Sequence, residues 1–537
     1  MDNTGKIAWQ SIPHLLDDCV ARYGDTSAIV EGSLRITYRD LKTRVVAVAR
    51  GLLAQNVASG DRIAIWAPNG WQWIVAALAT QSIGAAIVPL NTRFRPGEIS
   101  YILRKATPKL VFTRRHFLGT DYVALLDEAA VDGPRIGAVT FDDAEPGFGL
   151  TWGDLLAAGE SVSAETVSER VSQIGPDTVS DIMFTSGTTG YPRGVPGRHG
   201  QAIRAFHRFG LDGGFRIGER HAVVNPFFHA LGYKLGWLLS MMFGATTYPL
   251  GVFDPGEMLR LVAQERITVL PGPPTIYQAL LAQPGREKLD LSSLRICVTG
   301  TTTLPASLID RIRREFGFEI MLTGYGLTEC TALATMTRPG DDVRTVVETS
   351  GRAVPDVEVA IFDENDARLP AGAIGEIRVR GYNVMDGYFD DPQATAETIT
   401  PDGWLKTGDL GSFDETGNLR IEGRLKDMYI VGGFNTYPAE IENTLMGHPD
   451  IAEVAVIGIP DERLGEVGMA FVVPRVQTHA SEDDIKGWVR PLLANYKLPR
   501  VIEFVEALPK NASGKVLKTR LREVALEARS NKEETTT

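Results

Sequence analysis

The sequence predicts an α/β protein with a large N-terminal part, built from two α/β sheets plus a β-barrel-like portion, and a small α+β C-terminal domain. Three changes of pattern along the 537 residues support this prediction. Short runs that are apolar on both faces alternate with longer amphipathic segments up to about residue 340. Short alternating segments follow from about residue 350, and a compact mixture of helices and strands follows Arg424. A chain of this length can bury several hydrophobic cores.

The first pattern predicts parallel sheets that are covered by helices on both faces. Apolar runs, most of them ending close to Gly, Pro or Ser, lie at residues 62–66, 109–113, 181–185, 267–270 and 294–298. Residues 73–79 begin a buried helix between the first two runs. Strands that are apolar on both faces and separated by helices are typical of parallel sheets.

The second and third patterns predict an antiparallel sheet or barrel and a separate small domain. Residues 357–362, 375–381 and 419–423 alternate and are joined by turns such as 414–418, as in antiparallel strands. The last part then predicts two helices and two strands, at residues 438–446, 454–459, 469–474 and 482–496. We therefore expect one domain over residues 1–425 and a second over residues 426–537.

Composition and charge exclude several classes of function. The chain has 55 Lys and Arg against 67 Asp and Glu, a net charge of −12, and no basic blocks. This balance argues against nucleic acid or an anionic membrane surface as the main partner. The most apolar long stretch is interrupted by Thr80, Gln81 and Ser82, so no integral membrane segment is expected. Cys19, Cys297 and Cys330 are too widely spaced for a disulfide framework, which predicts a cytoplasmic protein.

A loop rich in glycine and hydroxyl groups directly follows the strand at 181–185. It reads Thr185-Ser186-Gly187-Thr188-Thr189-Gly190-Tyr191-Pro192-Arg193-Gly194. Its glycines expose backbone amides, and its hydroxyls and guanidinium supply further donors, which suits a polyphosphate. A solvated Ser/Thr/Gly hairpin is equally compatible with the loop alone. The chain has neither a Walker A sequence nor a G-x-G-x-x-G motif, which disfavours P-loop NTPases and Rossmann dehydrogenases.

This loop resembles the phosphate-binding loop of the adenylate-forming superfamily, which includes acyl-CoA synthetases, luciferases and the adenylation domains of peptide synthetases. Further blocks of that family's pattern follow in order, at residues 225–229, 323–329, 404–409, 423–427, 432–433, 439–442 and 509–515. The resemblance implies a two-step ligation with ATP, Mg²⁺ and coenzyme A and without a redox cofactor. A carboxylic acid attacks the α-phosphorus of ATP to give acyl-AMP and pyrophosphate, and the thiol of CoA then displaces AMP.

The resemblance implies an ATP- and AMP-binding set in residues 1–425. Tyr325 would stack on adenine, while Asp409 would accept the ribose hydroxyls with Arg424 beside it. Arg193 stands where the family usually has Lys, and residues 300–302 depart from the family's commoner Gly/Ala-rich form. The whole set comprises Thr185, Ser186, Gly187, Thr188, Thr189, Gly190, Arg193, Gly300, Thr301, Thr302, Gly324, Tyr325, Gly326, Thr328, Asp409 and Arg424.

Three residues carry the chemistry that the resemblance implies. Lys515 would reach the carboxylate and the α-phosphate and neutralise the charge that builds up during attack. Glu329 would hold Mg²⁺ against phosphate oxygens together with the Thr185 hydroxyl. His229 would orient the carboxylate or the triphosphate, although a lone His in an apolar run is more often a core side chain.

The remaining site residues concern the acid, the thiol and the movement between the two steps. Lys426 would be the hinge of a mobile C-terminal domain, and Gly432 and Gly433 would lie along the pantetheine arm of CoA. The side chains predicted either to wall the acyl pocket or to serve plain helix packing are Phe228, Tyr233 and Trp237.

The expected function is therefore an AMP-forming acid–thiol ligase acting on a bulky, apolar acid. Residues 225–255, 267–281 and 424–442 resemble the CoA ligases that act on the bicyclic indane-dione propanoate left by steroid-ring breakdown. Medium-chain fatty acids and aromatic or alicyclic acids remain open. A luciferase-like oxygenase and a carrier-protein-loading enzyme would share the motifs, whereas a non-enzymatic binding module would not need Glu329, Asp409 and Lys515. A homodimer is compatible with the sequence.

Overall fold

The computed structural model describes residues 9–130, 136–142, 149–185, 192–299, 306–431, 434–461, 463–475, 480–511 and 516–534. Within this part of the chain, two seven-stranded sheets form the large N-terminal region, and smaller, mainly antiparallel sheets follow them. This arrangement confirms the predicted α/β class.

The first sheet carries the strand that precedes the glycine-rich loop. It is parallel except for its edge pair, Val179–Thr185 with Arg193–Arg198, which is antiparallel. Because this pair is a hairpin, the residues that flank the glycine-rich loop lie side by side, with Thr185 opposite Arg193. In spatial order the strands are Arg193–Arg198, Val179–Thr185, Ala86–Pro89, Arg62–Trp66, Leu110–Thr113, Gly137–Thr140 and Leu150–Thr151.

The second sheet is parallel apart from one antiparallel edge strand, Leu34–Thr37. Its strands confirm the apolar runs predicted near residues 267–270 and 294–298. In spatial order they are Ile320–Leu322, Ile296–Val298, Val269–Pro271, Arg220–Val223, Thr246–Pro249, Ser27–Glu31 and Leu34–Thr37.

Helices cover both sheets, and one of these helices is almost wholly buried. Ten of the twelve residues of helix Trp71–Ser82 are buried, because its aromatic and small apolar side chains pack on every side. Residues Tyr233–Leu238 form a π-helix in contact with it. The other α-helices are Ile12–Tyr23, Tyr38–Ala54, Pro96–Ala106, Tyr122–Ala129, Trp152–Gly159, Ala164–Ser172, His199–Asp212, Ala230–Gly232, Leu239–Met242, Pro255–Glu265, Pro274–Ala282, Ala306–Phe316 and Val343–Glu348.

An antiparallel sheet follows where the alternating pattern predicted one. A four-stranded sheet is formed by Val357–Phe362, Gly375–Gly381, Leu405–Phe413 and Leu419–Arg424. A three-stranded sheet is formed by Gly324–Tyr325, Thr335–Met336 and Arg352–Ala353. Helix Pro392–Thr398 connects the second and third strands of the four-stranded sheet along the chain. Two short strands, His116–Phe117 and Thr120–Asp121, form a hairpin elsewhere.

The C-terminal region has hydrophobic clusters of its own. Their buried members lie between Tyr429 and Ala525, so this region does not depend on the large sheets for a core. Its sheet contains Tyr429–Val431, Phe434–Thr436, Ile451–Asp461, Gly465–Pro474 and Val501–Phe504, and its helices are Pro438–Leu445, Glu482–Val489 and Lys518–Glu534.

One predicted element of this region is wrong in extent. The helix expected over residues 482–496 ends at Val489, and Asn495–Lys497 is a separate 3₁₀ turn. Pro491 explains the end, because it lacks the N–H group that would continue the helical hydrogen bonds. Across the described residues, no helix is both long and apolar enough to cross a bilayer.

Candidate active site

The end of strand Val179–Thr185 meets a carboxylate from a distant part of the chain. The Thr185 hydroxyl lies 3.4 Å from Glu329 Oε1, although 144 positions separate the two residues. Glu329 is held in the 3₁₀ turn Thr328–Cys330, directly after the short strand Gly324–Tyr325. The structure therefore brings together the two side chains that the sequence predicted to face a metal.

Tyr388 completes this group and was missed by the sequence analysis. Its hydroxyl donates to Glu329 Oε1 at 3.0 Å, and the Met385 N–H donates to the Glu329 carbonyl at 2.9 Å. Burial, aided by the negative charge of Glu329, raises the pKa of Tyr388 to about 12. Tyr388 is therefore a protonated donor at neutral pH. A Gly-Tyr pair in an irregular segment is an ordinary sequence feature, so no local signal pointed to it.

Arg193 also lies close to the same tyrosine. Its guanidinium carbon is 5.1 Å from the centroid of the Tyr388 ring, within the range of a cation–π contact. The next residue, Gly194, is buried, and its carbonyl accepts from the Phe389 N–H at 2.8 Å. A Cβ at Gly194 would approach Ile182, Phe184 and Phe389 to between 3.1 and 3.2 Å, so the close approach of these segments favours glycine.

Asp409 is the centre of a second group, also predicted. Its side chain is buried, Oδ2 accepts from the Tyr325 hydroxyl at 2.8 Å, and Oδ1 lies 3.0 Å from Arg424 Nε. Asp409 and Arg424 are cross-strand neighbours, which explains their contact. Each carboxylate oxygen has two lone pairs, so both can still accept a ligand hydroxyl. Burial, together with the charge of Asp409, raises the pKa of Tyr325 well above its ordinary value and keeps it a donor.

The glycines of the run before Glu329 serve the packing of the chain itself. A Cβ at Gly326 would come within 2.4 Å of the backbone at Ala332 and Leu333, and one at Gly324 within 2.8 Å of the Thr335 carbonyl. These approaches place Thr328 and Glu329 in the turn that faces Thr185. The glycines thus position the site through close backbone packing.

His229 is an exposed residue directly before a short helix. It caps the short helix Ala230–Gly232, its Nδ1 accepts from the Leu231 N–H at 3.3 Å, and its side chain is exposed to solvent. Desolvation by the surrounding protein lowers the pKa of His229 below its ordinary value. His229 is therefore neutral at pH 7 and available as a hydrogen-bonding group.

The aromatic side chains predicted for the acyl pocket are differently placed. Tyr233 and Trp237 are wholly buried in the π-helix, stacked with ring centroids 4.9 Å apart, and both contact Trp73. Phe228 is half-buried. The structure thus shows helix packing for Tyr233 and Trp237, one of the two predicted alternatives, and a wall of the acyl pocket stays a prediction.

Lys426 lies shortly before Tyr429–Val431, the first strand of the C-terminal sheet. It is exposed in the 3₁₀ turn Leu425–Asp427, immediately after the strand that carries Arg424. The neighbouring Asp427 lies 3.2 Å from Arg522 of the last helix. The remaining predicted site residues lie outside the described residues: Ser186, Gly187, Thr188, Thr189, Gly190, Gly300, Thr301, Thr302, Gly432, Gly433 and Lys515.

The donor set around Glu329 suits Mg²⁺ bound through a phosphate. One carboxylate and one hydroxyl are hard oxygen ligands, and Mg²⁺ usually combines one or two carboxylates with water and substrate phosphates. Within the described ranges, no group of three or more His, Cys, Asp or Glu could hold a metal. The Glu329 carboxylate and the Thr185 hydroxyl fit a metal that also takes phosphate oxygens as ligands.

Comparison with known families agrees with this geometry. A family profile described as AMP-binding enzyme matches residues 16–389, and one described as AMP-binding enzyme C-terminal domain matches residues 440–515. The chain therefore belongs to the AMP-binding enzyme family of adenylate-forming proteins.

Within this family the chain is an ATP-dependent carboxylic acid:CoA ligase. It is 46% identical, over 96% of its length and 99% of the relative's, to the 3-[(3aS,4S,7aS)-7a-methyl-1,5-dioxo-octahydro-1H-inden-4-yl]propanoyl:CoA ligase of Mycobacterium tuberculosis. It is 45% identical to the ligase of the same name from Rhodococcus jostii, over 95% of this chain and 98% of that one.

Two solved structures share the fold over almost the whole length of the chain. ATP-bound MatB from Rhodopseudomonas palustris is 30% identical with a TM-score of 0.84, covering 96% of this chain and 99% of that one. The anthranilate CoA ligase AuaEII in complex with anthranoyl-AMP is 25% identical with a TM-score of 0.86, covering 99% of this chain and 100% of that one.

Proposed function

We propose that this ligase acts on a bulky, apolar carboxylic acid of the indane-dione propanoate type that steroid-ring breakdown leaves. The observation that carries the proposal is the identity of 46% and 45% to two ligases named for that acid, over nearly the whole of each chain. Relatives named for other acids are less similar: a feruloyl-CoA synthase of Amycolatopsis is 37% identical over 92% of this chain.

We assign the bound nucleotide to the two groups of residues around Asp409 and around Glu329. Asp409 accepts the ribose hydroxyls, Tyr325 lies against the adenine, and Arg424 holds the Asp409 carboxylate in position. Arg193 and the loop that follows Thr185 bind the phosphates. The contacts of Asp409 support this assignment, because its two oxygens are fixed by different side chains and keep free lone pairs.

Charge neutralisation drives the first step. Glu329 and the Thr185 hydroxyl would hold Mg²⁺, which when bound neutralises charge on the phosphate oxygens. Lys515 binds the attacking carboxylate and the α-phosphate, and His229 orients the acid as a neutral hydrogen-bonding group. No covalent intermediate with the chain is required, since the acid itself attacks phosphorus.

The second step requires the C-terminal domain, residues 426–537, to reorient about Lys426. The exposed turn Leu425–Asp427 supports a hinge there, because the described side chains on either side of the turn belong to separate hydrophobic clusters. Reorientation would withdraw Lys515 and bring Gly432 and Gly433 alongside the pantetheine arm.

The free, buried thiols of Cys19, Cys297 and Cys330 support a cytoplasmic location, and a homodimer stays a prediction.

A panel of acids assayed for AMP release with and without CoA tests the proposal. We expect the highest kcat/KM with the indane-dione propanoate, and lower values with octanoate and ferulate. A higher value with either of the other acids would contradict the substrate class. Oxygen uptake in place of CoA-dependent AMP release would instead indicate the luciferase-like alternative.

A further inference from the structure

Tyr388 contacts two groups of opposite charge. Its hydroxyl donates to Glu329 Oε1 at 3.0 Å, and the guanidinium carbon of Arg193 lies 5.1 Å from its ring centroid. One side chain therefore contacts both the carboxylate assigned to the metal and the cation assigned to the phosphates.

The backbone around Tyr388 is fixed on both sides. Its own N–H donates to the Thr395 hydroxyl at 2.9 Å, and the next N–H, of Phe389, donates to the Gly194 carbonyl at 2.8 Å. Thr395 belongs to helix Pro392–Thr398, whereas Gly194 belongs to the strand that carries Arg193. The ring is thus held relative to Arg193 by a direct backbone hydrogen bond.

This arrangement gives a physical reason for Arg at position 193. A guanidinium is planar, weakly hydrated and stacks on aromatic faces, whereas an ammonium is a compact, strongly hydrated charge. Lysine would keep the charge and lose most of the stacking, so its position over Tyr388 would be less well defined.

We propose that Tyr388 is a positioning residue that orients Glu329 toward Mg²⁺ and Arg193 toward the nucleotide phosphates. The proposal rests on the proposed function only in assigning Glu329 and Arg193 to bound MgATP. It does not depend on which acid is the substrate.

Nucleotide binding in the absence of acid tests this role in the full-length protein. Tyr388→Phe keeps the ring and removes the hydrogen bond to a charged group, so we expect MgATP to bind roughly tenfold more weakly or worse. The Mg²⁺ concentration needed for half-maximal ATP binding should rise in parallel. Binding of AMP without Mg²⁺ should stay within about twofold, since AMP lacks the outer phosphates. Isothermal titration calorimetry measures all three quantities.

Tyr382→Phe is a matched control. Tyr382 also has an arginine over its ring, with Arg204 at 3.9 Å from the centroid, but among the described residues its hydroxyl has no hydrogen-bond partner. This variant should bind MgATP and Mg²⁺ as the natural protein does. Wild-type binding by Tyr388→Phe would overturn the proposal, as would an equal loss of AMP and MgATP binding.

Arg193→Lys provides a second measurement that does not alter Tyr388. We expect it to weaken MgATP binding in the natural background and to have a smaller effect in a Tyr388→Leu background, where no ring remains to stack on. Additive effects would show that the two side chains act independently and would contradict the proposal. These results are separable from the acid panel, because no acid is present.

Discussion

The ammonium group of Lys234 lies 3.1 Å from Asp181 Oδ2, and the two side chains are only 3% and 0% exposed. Asp181 lies in the strand that ends at Thr185, and its other oxygen accepts from the Ser180 hydroxyl at 2.9 Å. Lys234 lies in the π-helix that follows His229. A buried ion pair therefore connects the strand before the phosphate loop to the segment that carries His229.

Breaking this pair should destabilise the fold strongly. Asp181→Asn leaves the Lys234 charge buried without its partner, and such changes typically cost about 3–5 kcal/mol of unfolding free energy. A large downward shift of the urea unfolding midpoint is the expected result. Glu319→Gln is the control, because Arg216 and Glu319 are exposed and 4.0 Å apart. This variant should lose no more than about 1 kcal/mol of unfolding free energy. Similar shifts for both variants would contradict the argument.

The Tyr325 hydroxyl should contribute to ATP affinity through Asp409. Tyr325→Phe keeps a ring for the adenine and removes the 2.8 Å hydrogen bond, so we expect the KM for ATP to rise about fivefold with kcat largely kept. Steady-state pyrophosphate release measures both constants, and Tyr382→Phe again serves as the control. A fall in kcat at unchanged KM would show that the hydroxyl acts in the chemical step instead.

Two buried histidines should make stability fall in acid. Desolvation lowers the pKa of His199 and of His221 to about 3, below the ordinary value near 6.5. Between these values the unfolded chain binds one more proton at each histidine. The contribution of the two neutral histidines to the free energy of unfolding is therefore fully present above about pH 6.5. It is lost as the pH falls toward 3, by about 1.4 kcal/mol per pH unit for each histidine.

His221→Asn tests this dependence. Asparagine does not titrate, so the urea midpoint of the variant should fall less steeply between pH 6 and pH 4 than that of the natural protein. His116→Asn, at an exposed position, should leave the slope unchanged. An unchanged slope in His221→Asn would refute the assignment of this pH dependence to His221.

Lys515 and Gly433 should separate the two half-reactions. With Lys515→Ala we expect acid-dependent pyrophosphate release to fall about a hundredfold or more, because a charge-stabilising group is removed. Thioester formation from a supplied acyl-adenylate should be largely kept. Adenylation at a nearly natural rate would show that the role assigned to Lys515 is wrong.

Gly433→Leu is expected to have the opposite effect. A large side chain at Gly433 would obstruct the path of the thiol, so CoA transfer should stop while adenylation continues. Measuring both half-reactions in each variant distinguishes the two roles. Equal loss of both steps in either variant would indicate general damage to the enzyme.

Local pattern was sufficient for most elements, and the family resemblance indicated part of the site. The strands at 357–362 and 375–381 have the predicted bounds, and Asp409 contacts Arg424, which the family resemblance placed beside it. Helix Glu482–Val489 was predicted too long, although Pro491 carried the signal for its end.

The amino-acid sequence by itself determined the α/β class, the order of the motifs and the residue types available for nucleotide chemistry. Periodicity and turn residues act over a few neighbours, so they can be recognised along the chain. Only the tertiary structure decided that Tyr388 joins Arg193 to Glu329 and that Lys234 pairs with Asp181. Such contacts join side chains far apart in sequence, and a tyrosine or lysine has no local signature of the partner it meets once the sheets have packed.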